Sequence, residues 1–141
     1  MFLLHPRLEA DSIVLGELPL SRLLLMNDSR YPWCILVPRR EDLCEVYELE
    51  DEEQSQLWRE SALLGRAMME VFGGDKLNLA ALGNLVPQLH IHHIVRYRDD
   101  VAWPGPVWGV GAPQPYAPPQ LEEVRQRLCA ALPEAWCGEG K

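Results

Sequence analysis

No stretch of this 141-residue chain stays apolar for the roughly 20 residues that a membrane-crossing helix needs. The opening run Met1-Phe2-Leu3-Leu4 is four residues long and has no basic region before it, so it does not read as a secretory signal. Cysteine is sparse and scattered: Cys34, Cys44, Cys129 and Cys137 form no CxxC pair. That usage reads as a cytoplasmic chain with free thiols. No basic stripe runs along the sequence, which argues against a binder of nucleic acid polymers. Internal repeats and low-complexity segments are also missing.

What is present reads as one globular domain over 1–141. Hydrophobic residues make up 48% and charged residues 24%, a balance that can build a core and excludes a disordered chain. The net charge of −8 is local. Residues 41–53 hold eight of the 21 acids and none of the 13 bases, which leaves the rest of the chain neutral. This patch reads as a solvated loop followed by the acidic first turn of a helix. A docking surface for a basic partner is the alternative.

Strand character marks Ser12–Leu15, ending at Gly16, then Ser21–Asn27, then the proline-bounded run Pro32–Pro38. Leu57, Ser61, Leu64, Met68 and Phe72 recur at helical spacing, predicting a long helix over Asp51–Phe72 that stops at Gly73-Gly74. Lys76–Leu82 and Gln88–Val95 read as the fourth and fifth strands, with a tight connection at Gly83–Pro87. The segment 103–119 is rich in proline and glycine and predicts an irregular surface loop, and Leu121–Leu132 reads as a shorter helix. The fold class is therefore α+β, with an antiparallel sheet.

Three of the four histidines sit in one stretch, Gln88-Leu89-His90-Ile91-His92-His93. On a strand, alternate residues share a face, so Gln88, His90 and His92 are expected on one side and Leu89, Ile91 and His93 on the other. Three readings compete: a polar solvent-facing edge, a metal site built on His90 and His92, and nucleophilic catalysis by one imidazole beside another.

The run Val86-Pro87-Gln88-Leu89-His90-Ile91-His92 resembles the signature of the histidine triad (HIT) family, His-φ-His-φ-His-φ-φ with φ apolar. Gly83-Asn84-Leu85-Val86-Pro87 matches the segment that precedes it, Arg96 the arginine that follows, and Asn27-Asp28 and Leu36-Val37-Pro38 the upstream strand ends. Trp103-Pro104 resembles the C-terminal segment of some relatives. The likeness covers about residues 12–108, with the loop and helix of 103–132 completing the domain. It implies a HIT-like fold: a five-stranded antiparallel sheet, one long helix, a shorter C-terminal helix and a homodimer. It also implies a nucleotide or nucleotide-conjugate ligand, with chemistry at the α-phosphate and no metal or other cofactor.

Carried over by position, His90 is the nucleophile that forms a nucleotidyl-histidine, and His92 binds the phosphate. Asn27 or Asp28 would bind the ribose hydroxyls, and Asn84, Leu85 and Val86 would line the phosphate with backbone N–H groups. Trp103 and Trp108 read as packing residues, with closure of one of them over a base as the alternative. Gln88 stands at the first triad position, as in a bacterial HIT-like branch. Its carboxamide can donate a hydrogen bond to phosphate but cannot deliver a proton. Trp33-Cys34 replaces a common Gly-His, and Cys34 reads as a small core residue. A nucleotide hydrolase or nucleotidyl transferase is the leading expectation. A non-catalytic nucleotide-binding module and a metal-binding protein are the alternatives.

Overall fold

A computed structural model describes residues 1–138. The last residues of the expected single domain, 139–141, lie outside the described residues. Five strands, β1 (Ser12–Glu17), β2 (Ser21–Met26), β3 (Trp33–Pro38), β4 (Lys76–Ala80) and β5 (Ile91–Arg96), form one antiparallel sheet in the order β1-β2-β3-β5-β4. Three helices accompany it: α1 (Pro6–Asp11), α2 (Asp51–Phe72) and α3 (Pro118–Ala130). Among the described residues no helix is long and apolar enough to cross a membrane.

The two-residue period of β3 and β5 gives the sheet two different faces. Cys34, Leu36 and Val95 point to one side and pack on Leu64, Ala67 and Met68 of α2 and Leu128 of α3. Trp33, Ile35, Val37 and Ile94 point to the other, where Leu8 of α1, Tyr31, Val86 and Val107 cover them. Cys34 is fully buried, and burial pushes its thiol up to about 12, so it is a core residue and not a reactive one.

The long helix matches its expected bounds. Its first turn carries Asp51, Glu52 and Glu53, favourable charges at a helix start, and Glu53 accepts a hydrogen bond from the Glu50 N–H. Gly73 ends it in the left-handed conformation (φ 59°) that glycine adopts without penalty. The acids before the helix are mostly exposed, and Glu48 accepts from the Cys44 and Glu45 N–H groups.

Four differences from the sequence reading stand out. The fifth strand begins at Ile91, so Gln88 is not on it. The C-terminal helix begins at Pro118, because two prolines fit the first turn where no N–H partner is needed. The short α1 has Pro6 at its first position and His5 Nδ1 accepting from the Arg7 N–H, a start signal that sequence reading passed over. Finally, the expectation of four free thiols is corrected: Cys129 and Cys137 form a disulfide, and Cys34 and Cys44 are free.

That disulfide joins α3 to the segment bearing Trp136, which is buried against β1. Gly138 N–H donates to the Leu15 carbonyl, and the chain passes so close that a Cβ at Gly16 would lie 1.7 Å from the Trp136 carbonyl oxygen. Only glycine fits there without moving backbone. We expect Gly16→Ala to lower unfolding free energy by about 3 kcal/mol in urea titrations, the range for overpacking. A loss under 0.5 kcal/mol would show that the C-terminal segment is not seated on β1.

Candidate active site

His90 and His92 open onto a cavity of about 720 Å³ on the face of the sheet away from α2. Its walls come from α1, the end of β2, residues 82–86 and the loop at 107–115, with Trp33, Ile35 and Trp108 among them. A volume of this size suits a nucleotide-sized ligand. Register explains the placement: β3 and β5 pair Ile35 with His92 and Cys34 with His93, so His92 shares a face with Ile35 and Trp33 while His93 faces the helix.

Each imidazole has one nitrogen engaged inside the protein. The Nδ1 of His90 lies 2.7 Å from the Gln88 carbonyl oxygen. A carbonyl only accepts, so Nδ1 carries the proton and Nε2 holds a free lone pair. His92 is the reverse. Its Nδ1 accepts from the Trp33 indole N–H at 3.0 Å, and an indole only donates, so the His92 proton is on Nε2. The two rings sit 4.8 Å apart, edge to face, and Trp108 stacks edge-on against His92 at 5.0 Å. One imidazole therefore offers a lone pair and its neighbour offers an N–H.

Burial and charge keep these rings neutral. Desolvation lowers the pKa of His90, opposed by the Gln88 carbonyl and assisted by His5. His92 is pushed down to about 3 by desolvation, then by His90 and His93. His93 is pushed down to about 4 by desolvation, against a raising contribution from the Ile91 carbonyl. It lies on the opposite face as expected, where Ser61 Oγ donates to its Nε2 at 2.8 Å while its own Nδ1 donates to the Ile91 carbonyl at 3.1 Å.

The other candidate residues divide. Asn84, Leu85 and Val86 line the cavity beside His90. Asn27 and Asp28 line it too, but their oxygens already have partners. Asp28 is 1% exposed and accepts from the Arg30 guanidinium at 2.9 and 3.0 Å, from its N–H at 3.1 Å and from the Gln114 N–H at 3.3 Å. Burial alone would raise its pKa, and these donors outweigh that and lower it. Asn27 Oδ1 accepts from the Tyr116 N–H, which leaves its amide N–H groups for a ligand. Both residues thus tie the 110–116 loop across the cavity mouth.

Two expected placements are corrected. Trp103 is outside the cavity and stacks over Arg96, in the turn that Asp100 organises by accepting from Arg96, Tyr97, Ala102 and Trp103. Of Trp103 and Trp108, Trp108 is the one that reaches the histidines, 5.0 Å from the His92 ring. Gln88 and His90 both precede β5, and the Gln88 side chain points away from the cavity toward the N-terminal segment. Its Oε1 accepts from the His5 N–H and its Nε2 donates to the Leu3 carbonyl, both at 2.8 Å. Sequence reading missed the α1 wall and the Trp33 donor. The first needs long-range packing through Leu8, and the second shows only once strand register is known. Among the described residues, no group of three or more His, Cys, Asp or Glu side chains is arranged to hold a metal ion.

The depressed histidines set a pH dependence of stability. The unfolded chain takes up protons near pH 6.5, while the folded rings wait until about pH 3 to 4. Between those values the unfolded state binds more protons, so stability falls as pH falls. At pH 5 the loss amounts to about 2 kcal/mol for each of His92 and His93. Chemical denaturation from pH 8 to 5 should show this slope, and His93→Asn should flatten it. Trp33→Phe frees His92 Nδ1 to accept a proton, so its NMR titration should move up from about 3. An unmoved titration would show that the indole does not hold the tautomer.

The HIT domain family model matches residues 7–99. A histidine triad protein from Marinobacter aquaeolei VT8 superposes with a TM-score of 0.92 at 57% identity, covering 94% of this chain and 96% of that one. One from Bradyrhizobium japonicum gives 0.91 at 46% identity, covering 93% and 98%. Another, from Sinorhizobium meliloti 1021, gives 0.91 at 44%, covering 93% and 97%. No curated protein matches the sequence. The five-stranded antiparallel sheet, the imidazole pair on its open face and these matches together place the chain in the histidine triad family.

Proposed function

We propose that the protein is a nucleotide hydrolase or nucleotidyl transferase acting at an α-phosphate through His90. The observation that carries this reading is the opposite tautomers of the two cavity imidazoles, with a lone pair on His90 Nε2 beside an N–H on His92 Nε2.

His90 Nε2 attacks the α-phosphorus, the bond from phosphorus to the leaving group breaks, and the leaving group takes the electron pair. The product is a nucleotidyl-imidazolium whose charge the Gln88 carbonyl stabilises through Nδ1–H. His92 Nε2–H donates to a non-bridging oxygen as charge builds there, joined by N–H groups of residues 84–86. Water, or an acceptor in a transferase, then attacks phosphorus. The nucleotide is released, a proton leaves with the solvent, and His90 regains its lone pair. Trp108 supports the base against the aromatic wall, and Asn27 reaches the ribose through its amide N–H.

Gln88 supplies no proton at the first triad position, because its carboxamide faces residues 3 and 5. Leaving groups that are stable as anions, such as the phosphates of anhydrides and dinucleoside polyphosphates, therefore suit the site better than the amines of phosphoramidates. The same observation favours a second reading, a nucleotide-binding module without turnover. A homodimer is part of the proposal: β4 is an edge strand, and Leu79, Leu82 and Leu85 on and after it are exposed. Sedimentation at micromolar concentration should give twice the chain mass, and a monomer would remove this part.

Hydrolysis should be measured on a panel of adenosine and guanosine anhydrides and phosphoramidates. We expect turnover that His90→Ala lowers by about 1000-fold or more with folding intact, and anhydrides to exceed phosphoramidates by about tenfold or more. Turnover retained in His90→Ala would sink the nucleophile assignment. Nucleotide binding with no turnover in the wild type would select the binding module.

A further inference from the structure

The first triad position carries an amide whose side chain never reaches the cavity. Gln88 lies before β5, so no strand ladder holds its carbonyl in place, and the nearest backbone anchor is the Leu89 N–H to the Leu43 carbonyl. That carbonyl is nevertheless the group that sets the His90 tautomer, at 2.7 Å.

The side chain provides the missing anchor. Its Oε1 accepts from the His5 N–H and its Nε2 donates to the Leu3 carbonyl, each at 2.8 Å. Both ends of the amide are occupied, and turning it over would set oxygen against oxygen. Residues 1–5 are themselves held. Phe2 and Leu4 pack on the cluster that contains Trp33 and Ile35, Arg22 lies over the Phe2 ring at 5.2 Å, and α1 follows with Leu8 buried. This segment precedes the span matched by the family model.

We infer that Gln88 is a positioning residue: its carboxamide clamps residues 3–5, and the clamped segment holds the Gln88 carbonyl against Nδ1 of His90. A carboxamide presents its C=O and the syn N–H side by side, as the C=O and N–H of one residue do along a strand edge. An imidazole's two nitrogens point apart and cannot make the same pair. Glutamine at this position is then a structural replacement for an acid, not simply the loss of one. The inference rests on the reading of His90 as nucleophile for its effect on rate, and on geometry alone for its effect on the ring.

The test uses Gln88→Met, Gln88→His, and His5→Pro beside His5→Ala. Proline removes the N–H that Gln88 accepts, at a residue whose φ of −55° suits it, while alanine keeps the N–H. Two readouts are taken: the His90 tautomer by 15N NMR, and kcat and KM on an adenosine anhydride. We expect the wild type to hold His90 in the Nδ1–H form. Gln88→Met and His5→Pro should give a tautomer mixture and a kcat about tenfold to a hundredfold lower, with KM within about twofold. His5→Ala should stay closer to wild type than His5→Pro on both readouts, and Gln88→His should lose activity. A pure Nδ1–H form in both Gln88→Met and His5→Pro would overturn the clamp, and so would a gain of turnover in Gln88→His. If the wild type turns nothing over, the catalytic reading fails while the tautomer still decides the clamp.

Discussion

The 2.7 Å contact between His90 Nδ1 and the Gln88 carbonyl decides which nitrogen of that ring meets the cavity. Everything chemical about the site depends on it. With the proton held on Nδ1, Nε2 is a lone pair pointed at open space, and burial lowers the ring's pKa below the usual histidine value, which favours the neutral form that carries that lone pair. The Trp33 indole does the opposite for His92, and by engaging Nδ1 it leaves an N–H facing outward. Neither ring needs a neighbouring carboxylate to fix its state. An acceptor-only carbonyl and a donor-only indole suffice.

The sheet supplies the second constraint. One strand carries two adjacent histidines, and its alternation sends them to different environments. His92 faces the cavity, while His93 goes under α2 to Ser61. Both are kept neutral by burial, which stabilises the site's electronic state at the expense of acid tolerance. Around the cavity, charges are matched locally: Asp28 with Arg30 at 2.9 Å, and Arg7 with Asp11 at 3.3 Å. The Asp28 pair is buried and braces the 110–116 loop, whereas the Arg7 pair is exposed and contributes little.

Much of this was legible in the sequence, and the parts that were not share a cause. The helical period of Leu57, Leu64 and Met68 and the glycine stop at Gly73 are local signals, and the helix follows them. Strand alternation placed His90 and His92 together and His93 apart. It failed for Gln88, whose side chain is drawn to backbone groups of residues 3 and 5, a long-range contact that local alternation does not carry. Trp103 and Trp108 look alike in sequence. Asp100, by organising the turn at 97–103, draws Trp103 onto Arg96 and leaves Trp108 for the site. Asn27 and Asp28 line the cavity, but a loop more than 80 residues away occupies their oxygens. The disulfide was hidden for a similar reason: Cys129 and Cys137 meet only because the chain turns back after α3.

The central claim is a covalent bond between phosphorus and His90 Nε2. The most direct test is rapid quenching of a reaction with an adenosine anhydride at alkaline pH, where a phosphoramidate survives, followed by peptide mass spectrometry. The account predicts that the peptide containing His90 gains the mass of an adenylyl group within the first turnover, and that the gain disappears in His90→Ala. Steady turnover with no adduct on any histidine, together with inversion of configuration at a chiral phosphorus, would contradict it by showing that water attacks the substrate directly.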